Sequence, residues 1–138
     1  ALERASQSFT DALADASADA PSKAPARLLA LFDAVAPVRP AAARQWRLWI
    51  QFWSRAVYER TLARVHARRY EAWRATITGL VRAGVAEGSF RRDLDVDAAT
   101  AELVALVDGV CMALALRDPA TRPEQARALV ARAIERLG

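Results

Sequence analysis

Cysteine, histidine, lysine and glycine are all scarce in this chain, and each scarcity removes a class of function. A single cysteine, Cys111, leaves no intramolecular disulfide and no multi-cysteine zinc site. It suits a reducing compartment, so the expected location is cytoplasmic. The single histidine, His66, has no cluster of carboxylates near it in sequence, so no metal ligand set is assigned. The five glycines are isolated from one another, which excludes a phosphate-cradling loop. No serine sits in a G-x-S-x-G turn, and Cys111 with His66 would lack an orienting partner, so no catalytic residue, enzymatic activity or cofactor is expected. Asp93, Asp95 and Asp97 imitate the start of a calcium loop, but Ala98 stands where the turn needs glycine and Val104 where a bidentate glutamate is needed. These acids read instead as helix-capping and first-turn groups. Long apolar runs are also missing: the best stretch, 103–116, is interrupted by Asp108 and falls short of the ~18 to 20 residues of a membrane helix. No signal peptide opens the chain, and no membrane association is expected.

What remains is a globular composition. The 138 residues are 54% hydrophobic and 26% charged, the size and make-up of one domain with one core. The net charge is +4, but Lys23 is the sole lysine among 20 basic residues. Such arginine and alanine bias follows from GC-rich coding, so basicity alone argues weakly for an anionic partner.

Apolar residues recur at helical spacing throughout, and the fold class is all-α with six helices. The first spans about 1–19 with Leu2, Ala5, Phe9, Leu13 and Ala16 on a narrow stripe; its start in mid-pattern at Ala1 predicts that residues precede it. The second opens at Ser22 as N-cap, with Pro25 in its first turn and Leu28, Leu31, Phe32 and Val35 on one face. The third, about 41–57, carries Trp46, Trp49, Ile50, Trp53 and Val57 on one side with Leu48 and Phe52 beside them. That apolar arc is wider than a simple surface helix requires. The fourth, about 60–87, lines up Leu62, Tyr70, Trp73, Ile77, Leu80 and Gly84, and Gly88 closes it. The fifth, capped by Asp95 or Asp97, bears only Glu102 and Asp108 as charges between 98 and 116, and is expected to be buried nearly all round. The sixth begins with Thr121 and Glu124 at capping-box spacing and shows Ala126, Leu129, Val130, Ala133, Ile134 and Leu137.

Three polar features stand out. Residues 39–92 contain twelve arginines against three glutamates, but the aromatics occupy the opposite helix faces, so a solvated basic surface is favoured over a nucleic-acid interface. His66 falls in the middle of the apolar stripe from Leu62 to Ile77, and is either a satisfied core histidine or a ligand-contacting group. Asp108 shares a face with Val104, Cys111 and Ala115, and must find an interhelical partner, take up a proton or face a ligand cavity.

The run Trp49-Ile-Gln-Phe-Trp53, the stretch Gly84-Val-Ala-Glu-Gly88-Ser-Phe90, the acidic cap Asp93-Leu-Asp-Val-Asp97 and Leu106-Val-Asp-Gly109-Val occur here in order. In this order they resemble the C-terminal regulatory domain of TetR-family transcriptional repressors, with the BetI-like branch most similar. The resemblance covers the whole chain. It implies a six-helix bundle whose first helix links to a DNA-binding head and whose last two helices form a four-helix dimer interface. It further implies a homodimer that releases operator DNA when a small molecule enters the helical domain. The 138 residues contain no helix-turn-helix, so DNA would be reached only through a domain outside this chain, and no DNA-contacting residue is assigned.

The expected effector cavity, about 300 to 1,000 Å³ as small-ligand sites run, lies between the third, fourth and fifth helices and beside the first. Its expected lining is Phe9, Trp49, Phe52, Trp53, His66, Tyr70, Trp73, Asp108, Cys111 and Met112, suited to an apolar, aromatic or cationic compound. The expected dimer interface comprises Leu103, Leu106, Val110 and Leu114 of the fifth helix with Leu129, Val130, Ala133, Ile134 and Leu137 of the sixth. Two other readings stay open: a purely structural dimerisation module whose aromatics are core, and a helical nucleic-acid-binding domain.

Overall fold

The structure, a computed structural model, describes residues 23–138. Among them are five helices and no strand: α1 (Ala24–Val35), α2 (Pro40–Ala56), α3 (Arg60–Ala86), α4 (Val96–Ala115) and α5 (Pro123–Glu135). They coincide with the second to sixth expected helices. The expected helix over 1–19, its Phe9, and the expected cap Ser22 lie outside the described residues.

Proline opens three of the five helices, where its missing N–H costs nothing and its fixed φ already suits the first turn. The N-cap of α1 is Lys23, which supplies no side-chain bond; Glu87, at the end of α3, accepts from the Ala24 N–H at 2.9 Å and brings a carboxylate to the positive end of α1. Asp95 rather than Asp97 caps α4, its Oδ1 accepting from the Ala98 N–H at 3.0 Å. The expected pairing of Thr121 with Glu124 is displaced by one residue: Arg122 is the N-cap, and the Gln125 side chain accepts from its N–H at 3.2 Å. Pro123 causes the shift, because the first turn forms around it.

At the end of α3, Gly88 adopts φ 82°, and the Phe90 N–H then returns to the Gly84 carbonyl at 3.0 Å. This closure lays the Phe90 ring on Gly84. Arg117 takes the same left-handed role after α4 at φ 55°, with the Asp118 N–H reaching the Ala113 carbonyl.

Helix α4 is central, in contact with α2, α3 and α5, while α1 packs on α3 and α5. Its buried residues Ala99, Thr100, Leu103, Val104, Val107, Val110 and Cys111 recur every three to four positions. Burial nearly all round is not what the chain achieves: Ala98, Ala101, Glu102, Ala105, Gly109, Met112 and Leu116 form an exposed stripe along α4. Among the described residues no helix covers it. The same helix corrects the membrane arithmetic, since its 20 residues and mean hydropathy of 1.7 meet the length and composition of a span. Its packing against three neighbours identifies it as a core helix.

Candidate functional site

The facing sides of α2, α3 and α4 bring together four of the residues singled out by sequence. From α2, the Trp53 indole N–H donates to Nδ1 of His66 on α3 at 3.1 Å, the two rings meeting edge to face. The His66 ring lies 4.4 Å from that of Tyr70, one turn further along α3. The Tyr70 hydroxyl in turn donates to Oδ2 of Asp108 on α4. Trp53 also touches the Tyr70 ring edge to face and leans on Trp46, whose own N–H is held by the Val35 carbonyl at 2.8 Å. The sequence placed His66 and Asp108 on apolar faces; both are half-buried here, and each has found a hydrogen-bond partner.

Burial, reinforced by the Arg74 cation, lowers the His66 pKa and favours the neutral ring. Burial raises the Asp108 pKa and outweighs the opposing pull of the Tyr70 hydroxyl and of Arg74. The Tyr70 phenol, desolvated and bonded to Asp108, is pushed above its usual range and remains a donor. Cys111, fully buried one turn from Asp108, has its thiol pushed up to about 12 by burial and by the carboxylate beside it. It is a small apolar filler and not a nucleophile. Among the described residues no group of three metal-ligating side chains occurs.

The other expected site residues scatter around this cluster. Phe52 is buried and leans on both His66 and Trp49. Trp49 is half-buried with the Arg69 guanidinium 5.7 Å from its ring. Met112 lies on the exposed stripe of α4. Trp73 faces the other way, into an apolar crevice of about 20 Å³ lined also by Leu28, Leu31, Phe32, Ile77, Leu103, Val107, Val130 and Ile134. That space is the size of one water, and its lining is almost wholly apolar. A more open groove of about 210 Å³ lies between Phe32, Val38, Leu114 and Arg127, and none of the four cluster residues lines it. Sequence reasoning missed Arg74, whose guanidinium lies 5.7 Å from the Tyr70 ring. The i, i+4 spacing of the pair was the available signal; Arg69 over Trp49 crosses between helices and left none.

Of the expected dimer residues, Leu103, Val110, Val130, Ile134 and Leu137 are buried within the chain itself. Leu106, Leu114 and Ala133 are half-buried, and Leu129 is exposed. Apolar residues exposed on these two helices include Ala105 and Met112 of α4, Leu116 at its end, and Leu129 of α5.

Residues 24–138 match the family model of the BetI-type transcriptional repressor C-terminal domain. Among solved structures, the chain is similar to a protein from Pseudomonas aeruginosa PAO1 described as a transcriptional regulator, at 27% identity and a TM-score of 0.76, covering 99% of this chain. This chain spans 63% of that protein's length. Two others share the fold at 23% identity. A transcriptional regulator from Saccharomonospora viridis, solved in complex with choline, has a TM-score of 0.84 over 96% of this chain and 68% of its own. A TetR-family regulator from Rhodococcus sp. reaches 0.85 over 99% and 70%. No curated protein matches the sequence. The family match covers every described helix, and the chain belongs to the BetI-type C-terminal domains of the TetR-family transcriptional regulators.

Proposed function

We propose that this chain is the effector-binding and dimerisation domain of a TetR-type repressor, and that its effector is a small organic cation. The observation that carries the reading is the half-buried Asp108 carboxylate bonded to Tyr70, whose ring Trp53 touches edge to face. Burial disfavours its charge, and an incoming cation would restore it. The rings in this region already accept cations: the Arg74 guanidinium lies over Tyr70 and that of Arg69 over Trp49. The choline complex of the Saccharomonospora regulator supports the same class of ligand on the same fold. Two chains would pair through the exposed α4 stripe, and ligand entry would favour one arrangement of α2, α3 and α4. The segment before Lys23 would pass that change to DNA-binding heads outside this chain, so that operator DNA is released. The change requires differential affinity for the two arrangements.

Isothermal titration with butyltrimethylammonium tests the ligand class, with its neutral tert-butyl analogue as the control. The cation should bind and the neutral analogue should bind at least about tenfold more weakly, equal to ~1.4 kcal/mol. Asp108→Asn should remove most of that difference. Equal binding of the two compounds would reject a cationic effector.

A further inference from the structure

The hydrogen bond from Trp53 fixes more than the position of His66. A neutral imidazole that accepts at Nδ1 carries its proton on Nε2. That Nε2–H meets no acceptor among the described residues, yet no buried side-chain nitrogen or oxygen lacks a partner, so it is open to solvent. At the other edge of the cluster, Asp108 spends Oδ2 on the Tyr70 hydroxyl, and Oδ1 is free by the same reasoning. Tyr70 touches both groups, its ring tilted against His66 and its hydroxyl bonded to Asp108. The cluster thus offers a fixed N–H donor and a carboxylate oxygen, one on each of the two groups that meet Tyr70.

We infer that His66 is a specificity-determining residue: its Nε2–H donates to an oxygen of the effector while Asp108 holds the positive group, so the site selects cations that carry an acceptor oxygen. The assignment rests on the cationic effector proposed above. Trp53 acts through His66, as a positioning residue. If the indole N–H were absent, either ring nitrogen could carry the proton and the donor would no longer be fixed.

The probes are (2-methoxyethyl)trimethylammonium, whose ether oxygen accepts but cannot donate, and butyltrimethylammonium, where a methylene replaces that oxygen. Because the ether cannot donate to Asp108, any preference for it over the carbon chain reports a protein donor. In His66→Phe the ratio of affinities, ether over carbon chain, should fall roughly 2- to 12-fold, the span of one net hydrogen bond. Butyltrimethylammonium, measured on the same variant, is the reference that takes any change in the cation site itself out of the ratio. His66→Gln, which places an amide N–H near the Nε2 position, should restore most of the ratio.

Because His66 is the only histidine, nitrogen-15 NMR of the unmodified chain reads the tautomer directly. The expected result is a protonated Nε2 and an accepting Nδ1, with the Nε2–H resonance moved by the ether and not by the carbon chain. An unchanged ratio in a His66→Phe protein that still binds butyltrimethylammonium overturns the role of His66 and leaves the cationic site intact. A proton found on Nδ1 does the same, with no variant needed. Failure of both ammonium compounds to bind wild type overturns the cationic site, and this inference with it.

Discussion

Replacing Gly84 with alanine sets two effects of opposite sign against each other. Gly84 lies inside α3, where alanine is favoured over glycine by about 1 kcal/mol. A Cβ built there, however, falls 2.1 and 2.3 Å from two carbons of the Phe90 ring. Those separations are more than an ångström inside van der Waals contact. Phe90 cannot swing clear, being buried in the core with its N–H tied to the Gly84 carbonyl. Overpacking of this kind costs about 1–3 kcal/mol, and so deep an overlap belongs at the upper end. Net of the helix gain, Gly84→Ala should destabilise by about 2 kcal/mol, lowering the melting temperature by roughly 6–10 °C for a domain of this size. Gly79, five residues earlier in the same helix, meets nothing within 4 Å of its virtual Cβ, and Gly79→Ala should stabilise by about 1 kcal/mol. Urea unfolding followed by circular dichroism measures both, and an unchanged m-value would confirm that the end states are comparable. In a Phe90→Ala background the Gly84→Ala penalty should vanish, since the clashing partner is gone. If Gly84→Ala proves as stabilising as Gly79→Ala, the Phe90 ring does not sit on Gly84 and the closure of α3 is misassigned.

The remaining predictions concern titration, the thiol and self-association. Asp108 has a raised pKa in the folded chain, so its ionisation opposes folding at neutral pH, and the penalty is relieved as pH falls through that pKa towards the unfolded value near ~3.9. Asp108→Asn should therefore be more stable than wild type at neutral pH and lose that advantage in acid; lower stability at pH 7 would contradict the burial argument. His66 has the opposite sign: its lowered pKa gives stability that is complete above about pH 6.5 and is lost on acidification, a loss that His66→Gln should not show in denaturation curves at stepped pH. Cys111 should resist a thiol reagent until denaturant is added, because burial pushes it up to about 12; rapid labelling of the folded chain would place it elsewhere. Met112→Glu and Leu129→Arg, at positions 37% and 40% exposed, should leave the fold intact while converting a dimer to monomer in light scattering; a wild-type monomer at micromolar concentration would reject the proposed interface.

Most of the helical architecture was legible because it is written in local rules. Pro25 marks a first turn, Gly88 marks an end, and the 3-4 spacing of apolar residues gives the faces. Apart from the cap of α5, which the neighbouring Pro123 shifts by one residue, the misses were those where a distant group decided the outcome. Glu87 supplies the bond at the start of α1 from 63 positions away, which no window along the sequence contains. The stripe of α4 looks like core in the sequence because Ala105, Gly109 and Met112 carry no more charge than Val104 or Val107. Composition records that a face avoids charge, but not whether its cover comes from the same chain.

The same distinction explains the site. Periodicity set His66 and Asp108 on apolar faces, and a buried polar group needs a partner; the sequence therefore showed that partners had to exist. It could not show that Trp53 serves one and Tyr70 the other, because that pairing depends on how α2 and α4 are rotated about α3. Trp73 illustrates the converse. It shares a helix with Tyr70 three residues away, about 60° short of a full turn, and that angle is enough to turn it from the polar cluster into the apolar crevice among Leu28, Phe32 and Val130. Rings three apart on α3 thus serve different ends: Tyr70 bonds an acid at the candidate site, while Trp73 fills the core it shares with residues of α1, α4 and α5. Substituting Trp73 should therefore act on stability first, and on ligand affinity only through it.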